Sequence, residues 1–235
     1  MEEHTPGEAT HCFIQYSAPD MRKGLVEMAH RRKAISFADI QHHFNTAGEK
    51  EMEYNLPVWQ QARQFNQSSN LVAYLWGAPG TGKTYTSSCI LNQAFDMASM
   101  QPKQTKPGCV GAYVSGIEFV RCMRKFEPGA VLDEWKKAHV LVMDDFDKPA
   151  WEYRDIAGLY DLMDARMTHN NKTVFTTNVD PAKLQHLFKL GGPAHANIWE
   201  ALRQRLVPAM VLEYKGKTLR TTLAMAKETP EGYGG

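Results

Sequence analysis

From Leu71 onward, short apolar runs alternate with longer stretches whose apolar residues recur at helical spacing. Leu71 to Trp76 reads as a strand closed by Gly77, and Lys83 to about Met100 as a helix. Val110 to Ser115 is the next strand, with Ile117 to Phe126 as its helix. Val140 to Met143 is wholly apolar, as expected of a strand buried on both faces. Arg154 to Met167 is helical and Thr173 to Thr177 is a fourth strand. Asp180-Pro181 carries the cap and first-position proline of another helix. Ile198 to Leu206 is helical, and Met210 to Tyr214 is a fifth strand before a turn at Lys215-Gly216-Lys217. This alternation predicts an α/β fold, a central parallel sheet covered by helices on both faces. Upstream, Leu25, Met28, Ala29, Ile35, Ile40 and Phe44 mark one or two amphipathic helices between Met21 and Phe44. The charged stretch from Asn45 to Asn55 reads as a linker, and Val58 to Phe65 as a helix leading into the core.

Three regions follow: a small helical extension over 1–56, a larger α/β domain over 57–228 and a flexible tail over 229–235. The first twenty residues are polar and expected to fray. At 235 residues and 43% hydrophobic content the chain can bury a real core. Its apolar runs are too short for a membrane span. The acidic start, Met1-Glu2-Glu3-His4, lacks the pattern of a signal peptide, so the cytoplasm is the expected location. Cys12, Cys89, Cys109 and Cys122 lie far apart, as suits reduced thiols rather than zinc ligands or disulfides. The histidines show no ligand spacing either. Net charge is +1, with 6 Lys+Arg against 9 Asp+Glu in residues 1–56 and 21 against 17 afterwards. So mild a basic excess does not by itself point to nucleic acid.

The chemistry sits between the first strand and its helix. Gly77-Ala78-Pro79-Gly80-Thr81-Gly82-Lys83-Thr84 fits the phosphate-loop pattern at every fixed position. Its glycines let backbone N–H groups turn inward around phosphates, and the helix N-terminus adds positive potential. Lys83 would reach the β- and γ-phosphates of ATP, Thr84 would complete an Mg²⁺ shell, and Tyr85 adjoins the nucleotide. Such a loop needs a carboxylate strand. Val140-Leu141-Val142-Met143-Asp144-Asp145 supplies it, with Asp144 for Mg²⁺ and Asp145 to polarise the attacking water. Asp145 is a methylene shorter than the glutamate common at that place, so intrinsic hydrolysis should be slow. Asn178, ending the Thr173-to-Thr177 strand, is the candidate to orient that water.

Phosphate loop, Asp-Asp strand and Thr-Thr-Asn strand, in that order, resemble the AAA+ ATPases. Within them the chain is similar to the DnaC-type helicase loaders and the IstB-type transposition helpers. The likeness covers about residues 55 to 220. It includes Ala62-Arg63-Gln64-Phe65, Leu159 to Arg166, and Glu200 to Leu206. It implies the three-layer AAA+ fold and a homo-oligomer, ring or helical filament. It also implies an arginine finger that completes a neighbour's site. Arg205-Leu206 matches the finger best, although helical spacing does not decide between Arg203 and Arg205. Thirty residues follow Arg205, too few for a full helical lid. Arg121, Arg124 and Lys125 share one helical face. With Lys103 and Lys106 they form a basic region that lines the DNA channel in resembling ATPases, although a solvated helix face is the plainer reading. The basic N-terminal segment would grip a helicase in a loader, or touch DNA or transposase in a helper. The resemblance thus implies a factor that loads a ring helicase on single-stranded DNA. The alternative is a transposition helper that polymerises on duplex DNA.

Overall fold

The structure is a computed structural model that describes residues 18–32, 34–36, 42–44, 55–101, 109–125, 129–188, 193–206 and 209–216. Helix α1 (Ala18–Arg31) and helix α2 (Leu56–Gln64), which ends in a 3₁₀ turn (Phe65–Gln67), precede the sheet. There follow β1 (Val72–Gly77), α3 (Lys83–Met100), β2 (Gly111–Ser115), α4 (Gly116–Met123) and α5 (Gly129–Lys137). The rest is β3 (Val140–Asp144), α6 (Tyr153–Thr168), β4 (Lys172–Thr177), α7 (Pro193–Leu206) and β5 (Ala209–Tyr214).

The five strands pair in parallel in the order β2-β3-β4-β1-β5. Side chains alternate between the faces. On one face Asp144 and Thr176 meet the start of α3. On the other, Phe175 packs on Phe146, which packs in turn on Trp151 and Phe188. The strand order reverses after β1, and the carboxyl edge at such a switch is where open α/β sheets bind ligands. Among the described residues, no helix is long and apolar enough to cross a membrane.

The expected elements are present with shifted ends, and four differences have physical reasons. The run Leu132, Trp135 holds a nine-residue helix, α5, because it buries Trp135, which packs on Phe119 of α4. Asp180-Pro181 opens a six-residue 3₁₀ segment (Pro181–His186), capped where the Asp180 carboxylate accepts from the Ala182 N–H at 2.9 Å. Helix α4 begins with a capping box of Ser115 and Glu118 but stops at Met123, well before Phe126. The Pro128-Gly129 pair downstream disfavours continuing a helix. Asn55, expected in a linker, is buried. Its side chain bonds the backbone N–H and carbonyl of Lys215 at 2.8 and 2.9 Å. Residues 45–54, Lys103, Lys106, Lys217, the start before Ala18 that was expected to fray and the tail 229–235 lie outside the described residues.

Helix α1 lies on α3. Val26 and Ala29 are buried, and Arg22 pairs with Asp96 at 2.5 Å and with the Asn92 side chain. Beyond the helix, the Ala34 carbonyl accepts from the Tyr113 N–H at 2.7 Å, covering the outer edge of β2.

Candidate functional site

Gly77 ends β1 at a φ of 141°, and an added Cβ would lie 2.1 Å from the Tyr214 carbonyl oxygen. Gly82, at φ 98°, sits at the N-cap of α3. Both conformations are costly for any other residue. The loop between them is closed by the Thr81 hydroxyl, which donates to the Ala78 carbonyl at 2.9 Å. Asn55 leans on the same loop through the Thr81 carbonyl, at 3.4 Å.

Lys83 is buried beneath the loop. Its amine donates to the carbonyls of Gly77 (2.9 Å) and Ala78 (2.7 Å) and to the Asn178 amide oxygen (3.0 Å). Burial pushes its pKa down, and the charges of Asp147, Asp145 and Asp144 partly oppose that. The Thr84 hydroxyl meets both oxygens of Asp144, at 3.0 and 3.3 Å. Asp144 also accepts from the Thr176 hydroxyl and, at 2.6 Å, from the Tyr113 phenol. Hard cations such as Mg²⁺ favour one or two carboxylates together with substrate phosphates. The Thr84–Asp144 pair is a donor set of that chemistry.

Asp145 follows at the lip. Its φ of 50° is left-handed, tolerated by Asp better than by most residues, and its N–H donates to the Thr176 hydroxyl at 2.9 Å. Partial burial raises its pKa, Asp144 raises it further, and Lys148 offsets part of the effect. Below it, the aromatic cluster of Phe146, Trp151 and Phe119 props the acidic loop, and Trp151 Nε1 donates to the Phe146 carbonyl at 3.2 Å.

Asp147, two residues past Asp145, joins the site. It accepts from the Asn178 N–H at 2.9 Å and from the Asn178 amide nitrogen at 3.0 Å. Burial alone would raise its pKa, but the Asn178 donors outweigh that and hold it low. A chain Lys83–Asn178–Asp147 therefore crosses the mouth of the sheet. The sequence reading also gave Thr176 and Tyr113 no role. The polar Thr176-Thr177 pair in an apolar strand was a usable signal, whereas nothing in the sequence pointed Tyr113 at Asp144. Tyr85 lies on α3, its ring stacked on Trp59 with centroids 5.7 Å apart and tilted against His42 at 4.3 Å.

The remaining candidates lie elsewhere. Arg205, near the end of α7, donates to Asp164 at 2.8 Å and to the Ala201 carbonyl, and lies 4.7 Å over the Tyr160 ring. Arg203 is exposed and pairs with Glu200 one turn back, at 2.7 Å. Arg121 is exposed on α4. Arg124 caps that helix and is held by Asp155 (2.8 Å) and Glu152 (3.1 Å), while Lys125 is exposed just past it.

No protein-family model matches the chain, and no curated protein matches it in sequence. Solved structures do match it in shape. DnaI aligns with a TM-score of 0.59 at 21% identity, over 81% of this chain and 100% of that one. Domain III of the replication initiation protein DnaA from Thermotoga maritima gives 0.56 at 16%, over 80% and 76%. Replication initiator DnaA bound to AMPPCP and single-stranded DNA gives 0.53 at 14%, over 82% and 56%. At such identities the likeness is one of fold. The fold is the AAA+ form of the P-loop ATPases, and the resemblance drawn from the motifs holds at that level.

Proposed function

We propose that this chain is an ATP-hydrolysing DNA replication factor of the cytoplasm that assembles with itself and with a ring helicase. It would deliver that helicase onto single-stranded DNA. The observation that carries the nucleotide part is the meeting of Thr84 and Asp144, 3.0 Å apart, beside the Lys83 amine. Mg²⁺ arriving with ATP would neutralise phosphate charge and hold the triphosphate in place. Lys83 binds carbonyl and amide oxygens, which phosphate oxygens can replace with stronger, charge-assisted bonds. Asp145, with its raised pKa, is a better proton acceptor than an ordinary aspartate, and it faces solvent where an attacking water would arrive. Asn178, fixed by Asp147, would orient that water.

Hydrolysis would depend on assembly, with a finger from Arg205, or from Arg203, reaching a neighbour's γ-phosphate. Arg121 and Lys125, joined by Arg124, would touch DNA phosphates in a sequence-neutral and salt-sensitive way. Support for the loader reading comes from the motif resemblance and from the fold shared with DnaI. It comes also from a DnaA structure that holds AMPPCP and single-stranded DNA. The deciding experiment mixes the purified chain with the hexameric replicative helicase of its own host, with and without ATP. An ATP-dependent complex that places the helicase on single-stranded DNA is the expected result. Filaments on duplex DNA without helicase binding would overturn it in favour of a transposition helper.

A further inference from the structure

Three hydroxyl groups converge on the Asp144 carboxylate, from three different elements. Thr84 comes from α3 and Thr176 from β4, both beside the phosphate loop. The third, Tyr113, comes from the edge strand β2 and has no place in the phosphate-loop motif. Its phenol donates to Asp144 Oδ2 at 2.6 Å, while Thr176 and the shorter Thr84 contact engage Oδ1. One oxygen of the carboxylate is thus bound mainly from the phosphate-loop side, and the other from the sheet's edge.

Register explains the reach. Tyr113 is opposite Val142 and Ser115 is opposite Asp144, so Tyr113 shares a face with Asp144 two residues upstream. A long side chain leaning along its strand spans that step. The backbone beneath the ring is held on both edges. β3 pairs with it on one side, and on the other its N–H donates to the Ala34 carbonyl at 2.7 Å. The phenol is therefore delivered from a fixed base. A carboxylate with only the Thr84 and Thr176 donors could still rotate about its Cβ–Cγ bond, and the Tyr113 bond removes that freedom.

Resting on the reading of Thr84 and Asp144 as the cation pair, we propose that Tyr113 is a positioning residue for the metal carboxylate. It would set the orientation in which Asp144 meets a nucleotide-bound divalent cation. Groups that hold metal-binding carboxylates in place commonly alter cation affinity without touching the ion.

The test uses the full chain, mant-ATP and a Mg²⁺ titration read by nucleotide fluorescence, a binding readout independent of turnover. Tyr113→Phe keeps the ring and removes only the hydroxyl. It should raise the Mg²⁺ concentration for half-maximal tightening of mant-ATP binding roughly tenfold. Affinity in EDTA should match wild type. In an Asp144→Asn background the same change should add nothing further, since coupled residues are not additive. A wild-type Mg²⁺ midpoint in Tyr113→Phe, or a full additive effect in the Asp144→Asn background, would overturn the proposal. Wild-type protein that fails to bind mant-ATP with Mg²⁺ would take down the underlying nucleotide reading as well. Cation-dependent binding that Asp144→Asn abolishes and Tyr113→Phe leaves unchanged would refute the role of Tyr113 alone.

Discussion

The two ends of the sheet bury charge in opposite ways. At the amino edge, Arg166 is fully buried with no carboxylate bonded to it among the described residues, and it donates to the carbonyls of Trp135 (2.5 Å), Ala138 (2.8 Å) and Lys172 and to the Thr173 hydroxyl. The neighbouring Lys172 donates to the carbonyls of Ser68 and Asn70 at 2.8 and 2.7 Å and lies over the Phe65 ring. Those carbonyls lie at the end of α5, at the start of β4 and in the turn before β1, so these cations tie α5, α6, β4 and the approach to β1 together. At the carboxyl edge, three acids crowd around one amine. Asp145 sits in a left-handed conformation with a raised pKa, and Lys83 is held by a loop that also bonds itself. One end uses buried charge to hold elements together. The other keeps mutually repelling groups in place at a cost in stability, the usual mark of a site shaped for chemistry.

Arg205 crosses this division, and it gives the largest expected effect. It stands at the amino edge, where α7 leads into β5, yet its proposed partner is another protomer's carboxyl edge. Arg205→Ala should leave ATP binding intact and lower turnover of the assembled protein roughly 10³-fold, measured as hydrolysis against protein concentration. Normal turnover in that variant would move the finger to Arg203. Next in size is Arg166→Met, which would strand several buried carbonyls. It should destabilise the fold by about 3 kcal/mol or more in urea unfolding, while the nucleotide affinity of the folded fraction stays near wild type. A silent Arg166→Met would erase the contrast between the two ends.

Asp145→Asn should do the reverse, cutting hydrolysis roughly 10²-fold or more while holding or raising the Tm. The sign follows from linkage. An acid whose folded pKa is raised binds protons more readily in the folded state, so its ionised form costs stability above the unfolded pKa. Asparagine also tolerates the left-handed backbone. For the same reason, wild-type hydrolysis should fall on acidification at a pH above that expected of an ordinary aspartate. Removing the opposing cation with Lys148→Ala should move that fall to still higher pH. This smallest effect is read from pH–rate profiles of the two proteins.

What could be read from the sequence was whatever is local or periodic. The phosphate loop is contiguous, and its glycines stand where backbone geometry demands them. Val140 to Met143 could only be a buried parallel strand, so Asp144 had to emerge at a carboxyl edge near Thr84. The role of Asp147 was not legible because it depends on the chain doubling back after Asp145, which brings it to Asn178, just past β4. Tyr113 depends on the register of an edge strand, and no period reveals register. Arg166 falls in a stretch read only as helical, and it is the packing of α5 and β4 that surrounds it with carbonyls. The basic face of α4 was read as one helical surface. In the structure all three cations are exposed, and Arg124 is also engaged by Asp155 and Glu152.

The central claim is that the mouth of this sheet grips Mg²⁺-bound ATP through the loop amine, and calorimetric titration of the purified chain with ATP and Mg²⁺ tests it most directly. Wild-type protein should bind, and Lys83→Ala, with its fold intact by circular dichroism, should lose at least roughly 100-fold in affinity, about 2.7 kcal/mol. Equal affinity in the two proteins would contradict the account.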